Sequence, residues 1–522
     1  MRSFTLLVVL SITAVTDATA QSQDPSAVVR IRNEAQQHSQ IMENAFYLAD
    51  VYGPRFTGSP NLTAAGNWLI ERMKSYGLQD VHSENVDRPI DVGGGLKWSG
   101  RGWAFDRFSA EMLKPTYQAL IGEPAMFSPS TPGPVQGQVL PLTLPPPGDR
   151  GVLNHFEEEY RGQLEGKILL ISPMQTIQRP SPTDFHRYTD AELEELRNAK
   201  GEIPQPSTPR PTSPDAVMDP AMKRMLDMED ELFSFLTQEG VVALIQAAPG
   251  GGGTHFVLPP LGPPDPGSAP PPTIALEPEH YNRLYRLAKH NFPVQLEVNV
   301  HASMFPTGPF NVIADIPGTD KQNVIVVGAH LDSFQMATGA TDNAANVAVV
   351  MEAARILETL KLRSRRTIRF AFWGAEEIDR QGSRDYVKKH IVERAAANPE
   401  DIQCYFNLDY GTGRIRGIYL QGHVALTSLF QQWLAPFAKD GGATVTAKVT
   451  NGSDQKSFND VGTPGFSFIQ DPVDYEARTH HTNMDTYDYL LPDDLKQSAV
   501  ILASVLYEAA NADQDLTDRG VR

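Results

Sequence analysis

The sequence predicts an α/β protein: a mostly parallel, mixed sheet with helices on its faces, and a small β-rich unit inserted near the middle of the chain. Three observations lead there. Val324-Ile325-Val326-Val327-Gly328 is an unbroken apolar run of the kind buried on both faces of a sheet. From about residue 310 such runs alternate with stretches of helical period, the order that builds parallel strands joined by helical crossovers. Between about 128 and 290 the composition shifts, with prolines and glycines crowding at 129–148, 204–220 and 249–272 around strand-like runs. A chain of 522 residues exceeds what one core ordinarily fills. We expect a leader over 1–20, the first part of the main unit over 21–128, the insert over 129–290 and the rest of the main unit over 291–522.

The elements follow in order. Arg2, the apolar run Leu6 to Ile12 and the small-x-small triplet Ala18-Thr19-Ala20 form the pattern of a cleaved secretory signal, with cleavage before Gln21. The run is too short to span a bilayer. The expected location is outside the cytoplasm, secreted or periplasmic, and no later segment reads as a membrane span. Cys404 is the only cysteine, so no internal disulfide forms. Asn61-Leu62-Thr63 and Asn451-Gly452-Ser453 fit the glycosylation acceptor pattern, which matters only in a eukaryotic secretory pathway. Residues from about 39 to 80 read as helical: Ala64, Trp68, Leu69 and Met73 share one face after the turn-rich stretch Tyr52 to Pro60, and Gly77 is placed to end it.

Within the insert, Lys167–Ile171 and Val241–Ile245 read as strands and Gly201–Pro214 as an exposed, mobile loop. Gly250–Gly253 lacks the Lys-Ser/Thr that completes a phosphate loop and reads as a flexible turn. Beyond the 324–328 strand, helices are expected at 344–360, 385–397, 427–437 and 494–511, with strands at 367–373, 402–408 and 465–469.

Apolar residues at 41% and charged residues at 21% are ordinary for a globular protein. The net charge of −18 repels polyanions and removes the electrostatic basis for nucleic-acid binding. Its plainest reading is solubility.

Ligands of a parallel sheet sit beyond the carboxyl ends of its strands. That rule gives the polar residues meaning, because His330-Leu331-Asp332 leaves the first strand, Glu376-Glu377 the second and Asp409 the third. Asp342 precedes the long helix, and His481 lies in the later loop His480-His481-Thr482-Asn483-Met484-Asp485. Each has a bland alternative: a hydrogen-bonded structural histidine, a solvated glutamate pair, an aspartate N-cap. Together they suit a catalytic zinc site, since zinc takes imidazole nitrogen and carboxylate oxygen. Two histidines and three carboxylates suffice for two ions if one carboxylate bridges them, and a further acid can move the proton of the attacking water. Of the adjacent glutamates, one can ligate and the other serve as base.

Gly328-Ala329-His330-Leu331-Asp332-Ser333, Thr341-Asp342-Asn343-Ala344-Ala345, Trp373-Gly374-Ala375-Glu376-Glu377, Gly382-Ser383, Asn407-Leu408-Asp409 and His481-Thr482 with Asp485-Thr486 closely resemble, in order, the M28 family of zinc metallopeptidases. The resemblance extends to Tyr52-Gly53-Pro54-Arg55 through Gly58-Ser59-Pro60 and to Asn311-Val312-Ile313 with Pro317-Gly318-Thr319, and so covers nearly all of the mature chain. It implies a phosphorylase/hydrolase-like zinc peptidase fold with an inserted protease-associated (PA) domain that shapes access to the site. It further implies two zinc ions, one on His330 and Asp409, the other on Glu377 and His481, with Asp342 bridging and Glu376 as general base. Asp332 resembles the family's acid that orients the His330 imidazole. His481 is preferred over His480 because it directly precedes Thr482. His480 and Tyr475 are candidates for substrate or oxyanion contact. Where relatives often carry a histidine, this chain has Gln455. The expected activity is that of a secreted di-zinc aminopeptidase acting on peptides, with a carboxypeptidase or dipeptidase of the same family as the alternative. A non-catalytic binding protein on the same fold, or a single-zinc glutaminyl cyclase, stand further off. A homodimer is left open.

Overall fold

The apolar strand at the centre of the chain splits its side chains between two cores, as a strand covered on both faces must. Ile325, Val327 and Ala329 join the core with the helices Pro25–His38, Pro60–Tyr76, Ala345–Thr359 and Pro492–Asn511, while Val324 and Val326 face Trp373, Tyr386, Tyr405 and Phe458. The computed structural model describes residues 25–93, 96–177, 181, 184–201, 219–261, 270–393 and 400–517. The proposed leader over 1–20 and nearly all of the 201–214 loop lie outside these residues.

The main sheet has eight strands in the order Gln79–Asn85, Phe310–Ile316, Arg366–Trp373, Asp320–His330, Asp401–Asn407, Gly465–Gln470, Ile415–Tyr419, Thr444–Thr446. The four from Arg366–Trp373 to Gly465–Gln470 run parallel, and antiparallel strands flank them. This is the mixed, mostly parallel α/β sheet expected, with helices on both faces. The helix Pro60–Tyr76 shows how local sequence sets its bounds: the Ser59 side chain accepts from the Leu62 N–H, Pro60 takes the first turn, and Gly77 closes the helix at φ 96°. The helix expected at 427–437 stays regular only over Thr427–Leu434 and tightens to a 3-10 turn at Ala435–Asp440, where Pro436 has no N–H to donate. The helix expected at 385–397 begins earlier, as Gln381–Val387.

A second eight-stranded sheet has the order Gln118–Ala119, Gly102–Lys114, Gln295–Phe305, Val135–Pro141, Lys167–Leu170, Ala243–Ala247, Thr273–Leu276, Gly122–Pro124. It draws in strands from both sides of the 129–290 segment: Gln295–Phe305 pairs along its length with Gly102–Lys114. The unit is also more helical than its proline-rich composition suggests, with Arg150–Tyr160, Pro220–Gln238 and Pro278–Lys289 packed on its sheet. The Gly250–Gly253 run forms the turn of a small hairpin pairing Gly250–Gly251 with Thr254–His255. A Cβ at Gly250, whose φ is 136°, would meet the Thr254 oxygen at 2.1 Å, so the hairpin closes only on glycine. Among the described residues, no helix is long and apolar enough to cross a membrane.

Candidate metal centre and active site

Adjacent parallel strands deliver the polar residues to one edge. His330 ends its strand opposite Trp373 of one neighbour, while Asn407 of the other neighbour pairs two residues earlier, with Gly328. The turn after Trp373 carries Glu376 and Glu377; Asp409 follows Asn407. Asp342 arrives on the segment Ala340–Ala344 just before the buried helix Ala345–Thr359. His481 comes from the loop after Gly465–Gln470, the fourth of the parallel strands.

Asp342 stands between two imidazoles. Its Oδ1 lies 3.1 Å from His330 Nε2, and its Oδ2 lies 3.2 Å from His481 Nε2. On the first side Asp409 Oδ1 is 3.1 Å from His330 Nε2; on the second, Glu377 Oε2 is 3.2 Å from His481 Nε2. The two histidines of the doublet both lie near Asp342: His480 Nε2 is 4.0 Å from Asp342 Oδ2 with its Nδ1 paired to Glu476 Oε2 at 3.3 Å, and donor atoms of Asp342, His480 and His481 lie within 4.8 Å of one another. A Glu376 carboxylate oxygen lies within 4.8 Å of donor atoms on His330 and Asp409.

These spacings fit a metal. Zinc bound tetrahedrally at about 2.0–2.1 Å holds its nitrogen and oxygen donors about 3.3 Å apart, close to the 3.1–3.2 Å found. Glu377 Oε1 is buried with no protein hydrogen-bond partner, a carboxylate oxygen left for another occupant. The electrostatics agree. Burial pushes Glu376 well above the usual carboxyl range, with Asp409, Asp454 and Glu377 adding to the rise and His330 opposing it. Burial and then Asp342 push Glu377 up to about 7. Burial alone would lower His481, yet Glu377 and Asp342 outweigh it and raise it to about 11. The cluster is short of positive charge, and it holds protons where a dication can replace them.

A frame of buried polar groups fixes these side chains. Asp332 stands behind the His330 imidazole, with its main-chain oxygen 3.1 Å and its carboxylate Oδ1 3.6 Å from His330 Nδ1. The carboxylate also accepts from the Thr57 hydroxyl at 2.7 Å and from the Glu376 N–H at 3.1 Å, so it holds the backbone beneath Glu376. Asp485 accepts from the N–H groups of Thr341 and Asp342 at 2.5 and 3.2 Å. Arg55, fully buried, donates to the carbonyls of Leu48, Leu331, Thr338 and Gly339, which locks the loop between His330 and Asp342. Burial lowers its guanidinium to about 10, still charged at neutral pH. Tyr475 is buried with its ring 4.6 Å from that of His480. Burial raises its hydroxyl well above 10, and the charges of Asp342, Asp409 and Glu377 raise it further. The pocket beside Asp342, Glu377 and His481 is walled by Phe334, Met336 and Ala337.

Residues 311–506 match peptidase family M28. That segment, which contains every candidate ligand, is the part of the chain that resembles an M28 peptidase. The chain is 23% identical to carboxypeptidase Q of Bos taurus over 476 residues, 91% of this chain and 86% of that one. Its fold is similar to that of a peptidase M28 precursor from Shewanella amazonensis SB2B, with TM-score 0.60 and 22% identity over 94% of this chain and 97% of the other. A zinc aminopeptidase from Bacillus subtilis superposes with TM-score 0.53 at 19% identity, covering 93% and 97%. Thr57 and Phe334 have no local mark in the sequence, since each acts through a contact between distant segments, whereas Arg55 and Asp485 are visible as parts of motifs.

Proposed function

We propose that the chain is a di-zinc exopeptidase acting outside the cytoplasm, releasing the N-terminal residue of peptides. The observation that carries this reading is Asp342, whose two oxygens face His330 and His481 separately. In the proposed assignment His330 and Asp409 hold one zinc, Glu377 and His481 the other, and Asp342 serves both. Bound there, the zinc pair would supply Lewis-acid polarisation of the scissile carbonyl and acidify the attacking water.

Glu376 takes the proton from that water and passes it to the departing amine, ending the cycle as the carboxylate it began. Asp332 acts as a positioning residue through the Glu376 N–H. Tyr475 and His480, at the rim of the cluster, are placed to contact the substrate or the developing oxyanion. Glu476, exposed beside His480, adds negative charge that suits a free ammonium. The insert takes the part of a PA domain that shapes access, and the N-terminal signal pattern supports export.

The second reading, a carboxypeptidase or dipeptidase, is favoured by the name of the relative that spans most of the chain. A panel of N-blocked, C-blocked and free dipeptides decides between them. An N-terminal exopeptidase cleaves C-blocked and free substrates and spares N-blocked ones; the opposite pattern overturns the first reading. In parallel, Glu376→Gln keeps two zinc ions per chain and loses about 10²–10⁴-fold in kcat. A variant within threefold of the parent removes Glu376 from the mechanism.

A further inference from the structure

The loop that carries Tyr475, His480 and His481 belongs to the main unit, yet segments of the insert hold it at both ends. At its start, His186 forms a β-bridge with Val473 through two N–H to O bonds of 2.7 Å. Beside that bridge Arg187 donates to Asp471 at 3.0 Å and to Asp494 at 2.6 Å, and the Tyr188 N–H donates to Asp471 at 3.0 Å. At its end, the Gly250–His255 hairpin and the residues after it lie along the chain from His481 to Asn483. Phe256 bridges Thr482, and the Val257 N–H donates to the His481 carbonyl at 2.9 Å.

Asn483 completes this second grip with both ends of its amide. Its Oδ1 accepts from the His255 N–H at 2.9 Å, its Nδ2 donates to the Gly253 carbonyl at 2.9 Å, and its own N–H donates to the His255 carbonyl at 3.2 Å. The hairpin is in turn rooted in the insert. The Gly252 N–H donates to Glu279 at 2.7 Å, and the buried His255 ring lies 3.6 Å from Glu123 on the strand Gly122–Pro124. The glycine run thus becomes a reaching arm, with its turn carbonyl spent on Asn483.

His481 needs such support. It sits at φ 57°, in the left-handed region that a non-glycine residue keeps only when its surroundings fix it. One bond on its own carbonyl and three around Asn483 come from the insert; against its ring packs Phe334, which shares an apolar cluster with Val257, Phe56, Trp103 and Met126. His330 and Asp409, by contrast, stand at the ends of hydrogen-bonded strands.

From this asymmetry we infer that the insert positions His481, so that the Glu377–His481 half of the metal centre is complete only while the hairpin and the Arg187 segment grip the loop. The two positions are then unequal: the His330–Asp409 half is built by the sheet, the His481 half by the junction of the two units. This inference rests on the proposed assignment of the ligands.

Two variants test it, one at each end of the loop: Asn483→Ala and Arg187→Ala, neither of which alters a proposed ligand. The first measurement is hydrogen exchange on metal-free protein. Both variants are expected to exchange faster across 473–483 and to leave 324–332 as protected as in the parent. The second is zinc retained per chain at a series of buffered free-zinc concentrations. Each variant is expected to give up one of its two zinc ions at 10- to 100-fold higher free zinc than the parent, the range typical for lost support of a metal ligand, and to keep the other unchanged. Equal weakening of both ions, or unchanged exchange at 473–483, overturns the inference. A parent chain that never binds a second zinc refutes the two-zinc assignment instead, and the exchange result, which needs no metal, still reports on the grip.

Discussion

Replacing Asp332 by asparagine and by alanine separates two tasks its carboxylate can perform. The bond between His330 Nδ1 and the main-chain oxygen of Asp332 survives any change of side chain, so the imidazole keeps its nearest partner in both variants. Asparagine also keeps a carbonyl oxygen for the Glu376 N–H, and the Thr57 hydroxyl can turn to accept from the new amide. Alanine leaves the Glu376 N–H buried without an acceptor. A hydrogen bond to a charged group contributes about 1.5–3 kcal/mol, and at about 1.4 kcal/mol per tenfold that is about 10- to 150-fold in kcat if the full effect reaches the transition state. Asp332→Ala is therefore expected to lose about 10- to 150-fold in kcat with little change in KM, and Asp332→Asn less than about 10-fold. Both should retain zinc on His330. Steady-state kinetics on the best-cleaved dipeptide, with zinc content measured on the same samples, gives the answer. Equal losses in the two variants, accompanied by loss of zinc, would mean that the charge of Asp332 works through His330, and the argument from the Glu376 backbone would fall.

Arg55→Leu should destabilise the chain by about 3–6 kcal/mol, because three buried carbonyls and one part-buried one lose a charged donor and each orphaned group costs about 1–3 kcal/mol before water relieves part of it; a change below about 1 kcal/mol in denaturant titration of the Arg55 variant contradicts the hub assigned to it. The metal-free chain should also respond to pH in a defined sense. Glu377, raised to about 7, holds a proton in the folded state that the unfolded chain releases above the ordinary carboxyl range, so its contribution to stability falls as pH rises toward 7. His481, raised to about 11, contributes fully below about 6.5 and loses that contribution as pH rises toward 11. Chelator-treated protein should therefore melt at a lower temperature at pH 8.5 than at pH 5.5, and added zinc should raise the melting temperature more at the higher pH; a zinc effect that shrinks with rising pH speaks against proton and metal sharing these groups.

How much of this was legible follows from how each residue reaches the site. The meeting of His330, Asp409 and the Glu376–Glu377 pair at one edge could be read because parallel strands joined by helices send all their carboxyl ends the same way. The short edge strands could not: Gln79–Asn85 is polar throughout most of its length and shows no alternation, and Thr444–Thr446 is too short to carry a period. The boundaries of the insert were obscured for a different reason. Proline and glycine mark where its loops lie, whereas its sheet is closed by Gly102–Lys114 and Gln295–Phe305, antiparallel partners far apart in sequence whose pairing leaves no local trace. The same holds for Asp332. Two residues after His330 its sequence position suggested a carboxylate behind the imidazole, and it lies there at 3.6 Å, but its bonds to Thr57 and the Glu376 backbone left no mark in the sequence.

The centre therefore stands on two kinds of support, and they differ in how they respond to motion. His330 and Asp409 cannot separate without breaking strand pairing within the main sheet. Glu377 follows a turn in which Ala375 sits at φ 58°, and His481 lies on a loop gripped from outside the sheet, so their distance changes whenever the two units shift. Asp342 is tied to both halves, because Asp485, four residues beyond His481, accepts its N–H. A displacement of the insert would reach His481 directly and so would open the centre from that side first. A metal held by Glu377 and His481 would close that side and would help fasten the insert to the main unit. On the inference above, metal binding at the Glu377–His481 half and the seating of the insert would be linked, each favouring the other.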